Sequence, residues 1–194
     1  MLSWFRKLCH RQSGFTLIEL IVGVFVTALI VLAAAMVTTQ MFKVNASSSK
    51  RVEVIRQVQN AGMWVSKDTQ MAQSVNIDDP DHFFVLAWAD WDTPAKYMLE
   101  YDIVNGDQLQ RSYWVKQTAD TDYVLDNQTI VANYVDTSLV TDESDPAFGK
   151  MRTRMEKSGR VYIFTITATI GGFTASGSPV TETRTYEILP RPSA

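Results

Sequence analysis

The sequence is poor in the residue types from which most catalytic and metal sites are built. It has one cysteine, Cys9, and two histidines, His10 and His82, in 194 residues. A single cysteine excludes an intramolecular disulfide, and two histidines leave little for a cysteine–histidine metal site or a histidine-based catalytic dyad. The motifs of zinc peptidases, serine hydrolases, P-loop NTPases, dinucleotide-binding enzymes and CxxC redox proteins are also absent. The composition therefore argues against an enzyme.

Positive charge is scarce as well. The chain has 18 lysines and arginines against 21 acidic residues, a formal net charge of −3 and a pI near 5.4. Such a surface lacks the basic footprint that a phosphate backbone requires, so we expect no nucleic-acid partner. The apolar share of 46% is typical of a globular protein and excludes disorder as the main state.

Charge is missing altogether from one long stretch. Residues 20–42 are uncharged, and only threonines, Gln40 and small residues interrupt their apolar surface. A core helix of a soluble protein normally shows a polar stripe, which this segment lacks. As a helix the segment would be roughly 35 Å long, slightly more than the ~30 Å hydrocarbon core of a bilayer. We therefore predict a membrane-spanning helix.

A short basic leader precedes this run. Residues 1–14 carry Arg6, Lys7 and Arg11 and no acidic residue. The positive-inside rule places this end in the cytoplasm and the bulk of the chain on the outer side of the membrane. The alternative is a secretory signal cut after its apolar core, at the alanines of residues 33–35, which would discard the span.

The junction between leader and span has a distinctive sequence. It reads Gly14-Phe15-Thr16-Leu17-Ile18-Glu19. It resembles the class III signal of type IV prepilins and type II secretion pseudopilins, and the resemblance extends over residues 14–40. It implies that a prepilin peptidase cuts after Gly14 and methylates the new N-terminal Phe15.

The same resemblance implies a role for Glu19 in assembly. In the family this acidic residue pairs with the N-terminal amino group, here that of Phe15, on a neighbouring subunit as the protein leaves the membrane for a filament. A carboxylate within an apolar span is costly and usually has a partner or a function. The competing explanation is that Glu19, one turn from the boundary, only reaches the water of the headgroup layer.

The remaining chain predicts an α+β fold. No proline occurs before Pro80, so a helix can run from Phe15 to about Val75. Its first part, residues 15–42, is the predicted span, and residues 43–75 form an amphipathic continuation. The apolar stripe of this continuation comprises Ile55, Val58, Gly62, Val65, Thr69 and Ala72, with the charged residues, Asp68 among them, largely on other faces.

Residues 76–194 predict a β-rich head. Strands are expected over residues 83–88, 96–104, 108–116, 123–131, 133–140, 160–170 and 180–189. Asn105-Gly106 predicts a type I′ hairpin turn between two of them. The family resemblance implies a type IV pilin-like arrangement, in which the long N-terminal helix packs on an antiparallel β-sheet head.

Acidic loops are the only candidates for a metal site in the head. The carboxylates of Asp78, Asp79 and Asp81, and those of Asp142, Glu143 and Asp145, could supply oxygen ligands to calcium. Neither group has the ligand spacing of an EF-hand, so ordinary turn chemistry competes with this interpretation and we expect no cofactor. His82 is expected to be a solvated loop histidine.

Two further clusters in the head have alternative interpretations. An aromatic cluster fits either a subunit contact or sheet core; it comprises Trp88, Trp91, Trp114, Tyr97, Tyr101 and Tyr113. A basic cluster could contact DNA or be a solvated loop; it comprises Lys150, Arg152, Arg154, Lys157 and Arg160.

These patterns predict a non-enzymatic filament subunit. The cysteine-free mature sequence and large strand-rich head resemble minor pilins or J-type minor pseudopilins, which implies a place at the filament tip or in the initiation of assembly. The implied partners are prepilin peptidase, other pilins or pseudopilins and the inner-membrane assembly platform. The implied location is a single pass through the inner membrane, with a cytoplasmic N-terminus and an extracytoplasmic head, followed by a filament in the envelope or at the cell surface.

Other functions compete with this one. Within the class, the chain could serve a DNA-uptake or adhesive pilus. From different classes, it could be a membrane-anchored binding or sensor domain that keeps its leader, or a secreted enzyme cut near residue 35.

Overall fold

A computed structural model of the chain describes residues 16–90, 92–117, 122–171 and 179–191. Within these ranges the chain forms one α-helix followed by eight β-strands. The helix is α1 (Leu17–Met71), and the strands are β1 (Ser74–Asn76), β2 (Phe84–Ala89), β3 (Lys96–Val104), β4 (Gln108–Lys116), β5 (Val124–Ala132), β6 (Arg154–Ser158), β7 (Val161–Ile170) and β8 (Val180–Ile188). The chain divides between Asn45 and Ala46 into two compact units.

Helix α1 spans 55 residues, as expected from the absence of proline, but it ends earlier than predicted. The prediction placed its end near Val75, whereas the last helical residue is Met71. The cause is pairing with β2, because Gln73 N donates to Ala87 O at 3.0 Å and its side chain bonds the backbone of Ala89. Val75 consequently lies in strand β1, which the sequence analysis did not predict.

The second unit contains two antiparallel sheets. A five-stranded sheet has the order β1-β2-β3-β4-β5, and a three-stranded sheet has the order β6-β7-β8. All neighbouring strands are antiparallel, and each strand of a sheet pairs with the next in sequence. Both sheets are thus meanders, joined by the segment between β5 and β6.

The predicted hairpin joins β3 and β4. Asn105 and Gly106 have positive φ angles of 56° and 82°, as the Asn-Gly pattern of a type I′ turn requires. The loop nevertheless has three residues rather than two, because Val104 pairs with Gln108 and leaves Asp107 in the loop.

The segment between the two sheets was wrongly predicted as a strand over residues 133–140. It makes only isolated bridges, Val135 to Ala168 and Leu139 to Met151. Its polar groups instead bond to β7 and the chain before β6: Asp136 N donates to Thr167 O at 2.8 Å, and Thr153 Oγ1 donates to Asp136 O at 2.8 Å. These contacts satisfy the backbone without a continuous ladder.

One hydrophobic core joins the C-terminal part of the helix to both sheets. Its fully buried side chains include Val54, Val58, Ala61, Val65, Phe84, Leu86, Leu99, Tyr101, Leu109, Phe164, Ile166 and Ile188. The helical residues recur at steps of three and four, which is the periodicity of a single face. Of the predicted stripe, Val58, Gly62, Val65, Thr69 and Ala72 are buried and Ile55 is half-buried.

Gly62 lies where Tyr186 of β8 packs directly against the helix backbone. A Cβ atom built on Gly62 would lie 2.0 Å from Cζ of Tyr186. The ring of Tyr186 also stacks on Phe164 at a centroid distance of 6.4 Å, and its hydroxyl donates to Val58 O at 3.3 Å. Only glycine leaves room for this ring against the helix backbone.

Asp68 corrects the expectation that the charged helix residues face away from the core. Its side chain is 1% exposed, and Oδ2 accepts hydrogen bonds from Arg111 Nε at 2.6 Å and Tyr101 Oη at 2.5 Å. The guanidinium of Arg111 lies 4.9 Å from the ring centroid of Trp64. The charge of Asp68 is tolerated in the core because a cation and a hydroxyl compensate it.

The pKa values of the two partners follow from this geometry. Burial, together with the negative charge and hydrogen bond of Asp68, raises the pKa of Tyr101 far above its ordinary value. Burial alone would lower the pKa of Arg111, but its contacts with Asp68 outweigh that effect and raise it. Arg111 therefore stays charged and Tyr101 stays protonated.

The α+β fold class predicted from sequence is confirmed. A long apolar N-terminal helix continues into a segment that packs on antiparallel β-sheets. This is consistent with a type IV pilin-like fold.

Candidate functional site

The candidate site from the sequence analysis lies at the start of α1. Gly14 and Phe15 lie outside the described residues, which begin at Thr16. Thr16 occupies the N-cap position, and Glu19 is the third residue of the helix. Glu19 N donates to Thr16 Oγ1 at 3.3 Å, and Oε2 of Glu19 accepts from Thr16 N at 3.2 Å. This reciprocal arrangement is a capping box.

The capping box gives Glu19 a local role that the sequence analysis missed. The signal was present, since Thr-x-x-Glu directly before an apolar run is its typical pattern. Thr16 Oγ1 adds a further hydrogen bond to Oε2 at 3.1 Å. A carboxylate in the first turn also complements the positive end of the helix dipole. Glu19 is therefore held at the helix start within a single chain, without a neighbouring subunit.

The apolar segment that follows has its side chains uncovered in the single chain. Leu17 is 78% exposed, Phe25 65% and Leu29 51%, and none of the most apolar 18-residue window is buried. The mean hydropathy of that window is 2.9, so by length and composition this part of α1 could cross a membrane. So large an apolar surface requires lipid or other apolar helices around it.

The threonines in this segment do not need water. Thr27 Oγ1 donates to Gly23 O at 2.9 Å, Thr38 Oγ1 to Ala34 O at 2.9 Å and Thr39 Oγ1 to Ala35 O at 2.8 Å. Each hydroxyl is satisfied by a carbonyl on the preceding turn of its own helix. The segment can therefore enter an apolar environment without leaving these groups unpaired.

The acidic loops proposed for calcium mainly hold their own turns. Asp79 accepts from Asp81 N at 3.1 Å and from Asn76 Nδ2 at 3.2 Å. Asp142 accepts from the backbone and hydroxyl of Ser144 at 3.0 and 2.7 Å, and these bonds lower the pKa of Asp142. Both are turn contacts of the kind that aspartate makes in loops. The structure brings neither group of three carboxylates together as one set of ligands.

His82 lies in the loop before β2, as expected, but its side chain is not freely solvated. Its side chain is 28% exposed and lies between two carboxylates of β3. Nδ1 is 2.9 Å from Oδ1 of Asp102, and Nε2 is 3.6 Å from Oε1 of Glu100. Partial burial alone would lower the pKa of His82, but the negative charges of Asp102, Glu100 and Asp79 and the hydrogen bond to Asp102 outweigh it and raise the pKa.

The aromatic cluster divides between the two faces of the larger sheet. Tyr101 is fully buried in the core, and Trp88, Tyr97 and Tyr113 stack on one another at centroid distances of 5.6 to 6.1 Å. Trp114 lies on the opposite face, since it pairs with Met98 rather than with the core positions of β3. Trp91 lies outside the described residues. Most of the cluster is thus packing within the head.

The basic cluster is largely neutralised by its own neighbours. Lys150 and Arg154 both contact Glu156, at 2.6 and 2.8 Å, and these contacts lower the pKa of Glu156. Arg152 lies 3.8 Å from Asp136. Lys157 Nζ lies 5.5 Å from the ring centroid of Tyr162, and Arg160 is exposed in the turn directly before β7. These contacts reduce the positive charge available to a phosphate backbone.

The N-terminal segment of the chain matches a known protein-family motif. Residues 9–35 match the prokaryotic N-terminal methylation motif. Comparisons of the chain with curated proteins and with solved structures give no match. The motif supports a type IV pilin-like protein anchored in the inner membrane by its apolar helix, and it indicates a structural subunit rather than an enzyme.

Proposed function

We propose that this protein is a minor subunit of a type IV pilus-like or type II secretion pseudopilus filament, acting at the tip or in the initiation of assembly. The observation that carries the proposal is the methylation motif over residues 9–35, directly followed by an apolar helix whose side chains are uncovered in the single chain. In the membrane, lipid covers this helix. In a filament, the equivalent helices of neighbouring subunits cover it.

Processing supplies the group that Glu19 binds during assembly. Cleavage after Gly14 by prepilin peptidase leaves a positively charged amino group on Phe15, which is then methylated. That group on one subunit pairs with the Glu19 carboxylate of the next, while the apolar helices exchange lipid for one another. The inner-membrane assembly platform and the other pilins of the filament are the partners that this mechanism requires.

The capping box uses one oxygen of the Glu19 carboxylate and leaves the other for the ammonium group of a neighbouring subunit. The hydrogen bonds that the Glu19 carboxylate accepts from Thr16 both end on Oε2. An incoming ammonium group can therefore engage Oε1 while the helix start stays capped. The negative charge of Glu19 attracts the N-terminal ammonium group of the neighbouring subunit, while its hydrogen bonds to Thr16 cap the helix.

Processing is the first test. The intact mass and N-terminal sequence of the membrane-extracted protein are measured after expression with and without active prepilin peptidase. We expect a peptidase-dependent species that begins at methylated Phe15. A protein that still begins at Met1, or one that starts near Met36, would overturn the proposal in favour of an anchored domain or a secreted domain.

Two substitutions separate the assembly role of Glu19 from its capping role. Glu19→Gln keeps a side-chain oxygen that can accept the capping-box hydrogen bonds but removes the charge. Thr16→Ala keeps the charge and removes the cap, at a cost of about 1 kcal/mol of helix stability. We expect Glu19→Gln to reduce incorporation into filaments at least tenfold, and Thr16→Ala to leave most of it intact.

Incorporation is measured as the fraction of processed subunit recovered in sheared or pelleted filaments, with total processed protein as the reference. If Thr16→Ala abolishes incorporation and Glu19→Gln does not, the carboxylate acts only as a cap. The pairing mechanism would then be wrong, although the filament class itself would stand on the processing result.

A further inference from the structure

We propose that His82, Glu100 and Asp102 form a binding site for a divalent transition-metal ion of the zinc class, on the face of the larger sheet that points away from the core. One ligand atom from each residue lies within 4.8 Å of the other two. The site lies in the head and does not depend on the function proposed for the N-terminal helix.

The sheet fixes the two carboxylates. Glu100 and Asp102 are two residues apart on β3, so their side chains leave the strand on the same face. The intervening Tyr101 is buried on the opposite face, and β3 is hydrogen-bonded to β2 on one side and to β4 on the other. The spacing between the two carboxylates is therefore set by rigid backbone.

The histidine is fixed by the strand next to it. Phe83 N donates to Tyr101 O at 2.9 Å and so extends the pairing of β2 with β3 by one residue. His82 directly precedes this bond, so its backbone lies beside β3, and its ring contacts both carboxylates. Nδ1 lies 2.9 Å from Asp102 and Nε2 lies 3.6 Å from Glu100.

A further contact orients one of the ligands. Trp114 Nε1 donates to Oε2 of Glu100 at 2.6 Å, which leaves Oε1 as the oxygen that faces His82. Hydrogen bonds of this kind to metal-ligating carboxylates fix their orientation and raise metal affinity. Trp114 would act here as a positioning residue.

The donor set selects the class of metal. Ligands around zinc, bound at about 2.0–2.2 Å, lie about 3.4 Å apart in a tetrahedral site. One ring nitrogen of His82 and one oxygen from each carboxylate lie within 4.8 Å of one another, so a bound ion would draw the three ligand atoms closer together. An imidazole nitrogen favours zinc and related ions, whereas calcium and magnesium favour all-oxygen sites. The side chains are 28%, 13% and 24% exposed for His82, Glu100 and Asp102, so a water molecule can complete the coordination.

Metal binding is tested on the full chain in detergent after treatment with a chelator. All variants carry Cys9→Ser and His10→Ala, so that the leader contributes no ligand. Equilibrium dialysis against Zn²⁺, followed by metal analysis, measures affinity, and Co²⁺ absorption in the visible range reports coordination. We expect saturable binding and a higher melting temperature with Zn²⁺. His82→Ala and Asp102→Asn should each weaken the affinity at least tenfold, and Trp114→Phe should weaken it less.

Asp142→Asn is the matched control, because it removes an exposed carboxylate from the other acidic loop, and it should bind Zn²⁺ like the parent chain. Melting curves without metal show whether each variant folds. Equal Zn²⁺ affinity in the parent and His82→Ala would overturn the proposal. So would Ca²⁺ binding that survives His82→Ala, or the absence of any bound metal while His82→Ala still lowers the melting temperature. The last result would show a metal-free imidazolium bridge between the two carboxylates.

Discussion

At the residue scale, the head has a charged side chain in its core, where the sequence pattern predicted none. Asp68 lies on the buried face of α1, and Arg111 reaches it from β4 across the ring of Trp64. Tyr101, on β3, completes the set. Helix and sheet are thus joined by a directional contact as well as by hydrophobic packing. A buried ion pair of this kind contributes little net stability, but breaking it is costly.

Removing one partner of this pair should therefore destabilise the head more than removing both. Asp68→Ala leaves the Arg111 guanidinium without its anion in the core and should cost about 3–5 kcal/mol. The double variant Asp68→Ala/Arg111→Met removes the uncompensated charge and should recover part of that loss. Chemical denaturation of the detergent-solubilised chain measures both, with Asp92→Ala at an exposed position as the control.

Additive losses in the double variant would contradict this account. They would mean that Asp68 and Arg111 contribute through independent packing contacts and not through their mutual charge.

At the element scale, the elements set by local sequence could be predicted, and those set by pairing with distant residues could not. The helix, six of the eight described strands and the Asn105-Gly106 hairpin follow from periodicity and turn chemistry, which the sequence shows directly. Strand β1 could not be predicted in this way, because its three residues are extended only through pairing with β2.

The candidate sites follow the same rule. The methylation signal and the capping box at Thr16 and Glu19 are contiguous in sequence and could be found there. His82 and Asp102 are 20 residues apart, and Asp68 and Arg111 are 43 apart. Only the register of the sheet and the docking of the helix bring these pairs together.

The segment between β5 and β6 gives a pH-dependent prediction. Burial would raise the pKa of Asp136, but hydrogen bonds from the hydroxyl and backbone of Ser138, the charge of Arg152 and a bond from Thr169 outweigh it and lower the pKa. A lowered pKa in the folded state contributes stability above the unfolded value, and this contribution is lost as pH falls through the folded value.

We therefore expect Asp136→Asn to lower the melting temperature at pH 7 and to have a smaller effect at about pH 3, below the ordinary aspartate pKa of about 3.9, where the stability that the lowered pKa contributes is being lost. Melting curves recorded across this range measure the difference, with Asp92→Asn as the exposed control. An equal deficit for Asp136→Asn at both pH values would show that Asp136 acts through its shape rather than through its charge.

At the scale of the whole molecule, the chain combines a head that buries its own core with a helix segment that buries nothing by itself. From Phe15 onward the chain has 15 basic and 21 acidic residues, whereas the leader is only basic. Charge and hydropathy thus separate along the sequence in the order expected for a protein anchored in the inner membrane. Stability of the head and retention in the membrane are then separate properties.

Charge placed in the middle of the apolar segment should release the protein from the membrane. Val26→Lys and Leu29→Lys lie on one helix face, and each should cost about 3 kcal/mol of insertion free energy. The double variant should shift from the carbonate-resistant membrane fraction to the soluble or degraded fraction. Gln40→Lys is the control, because a long side chain near the end of the span can reach the interface.

Full membrane retention of the double variant would show that this segment does not carry the anchoring. Release of Gln40→Lys to the same extent would place the end of the span elsewhere.

The contact between Gly62 and Tyr186 couples two positions that are 124 residues apart in sequence. A methyl group at one position and an aromatic ring at the other cannot occupy the same space. Relatives of this chain that keep the same docking of helix on sheet should therefore change these two positions together: alanine or a larger residue at 62 should occur with a small side chain at 186. An alignment of such relatives would record this constraint as covariation between positions 62 and 186.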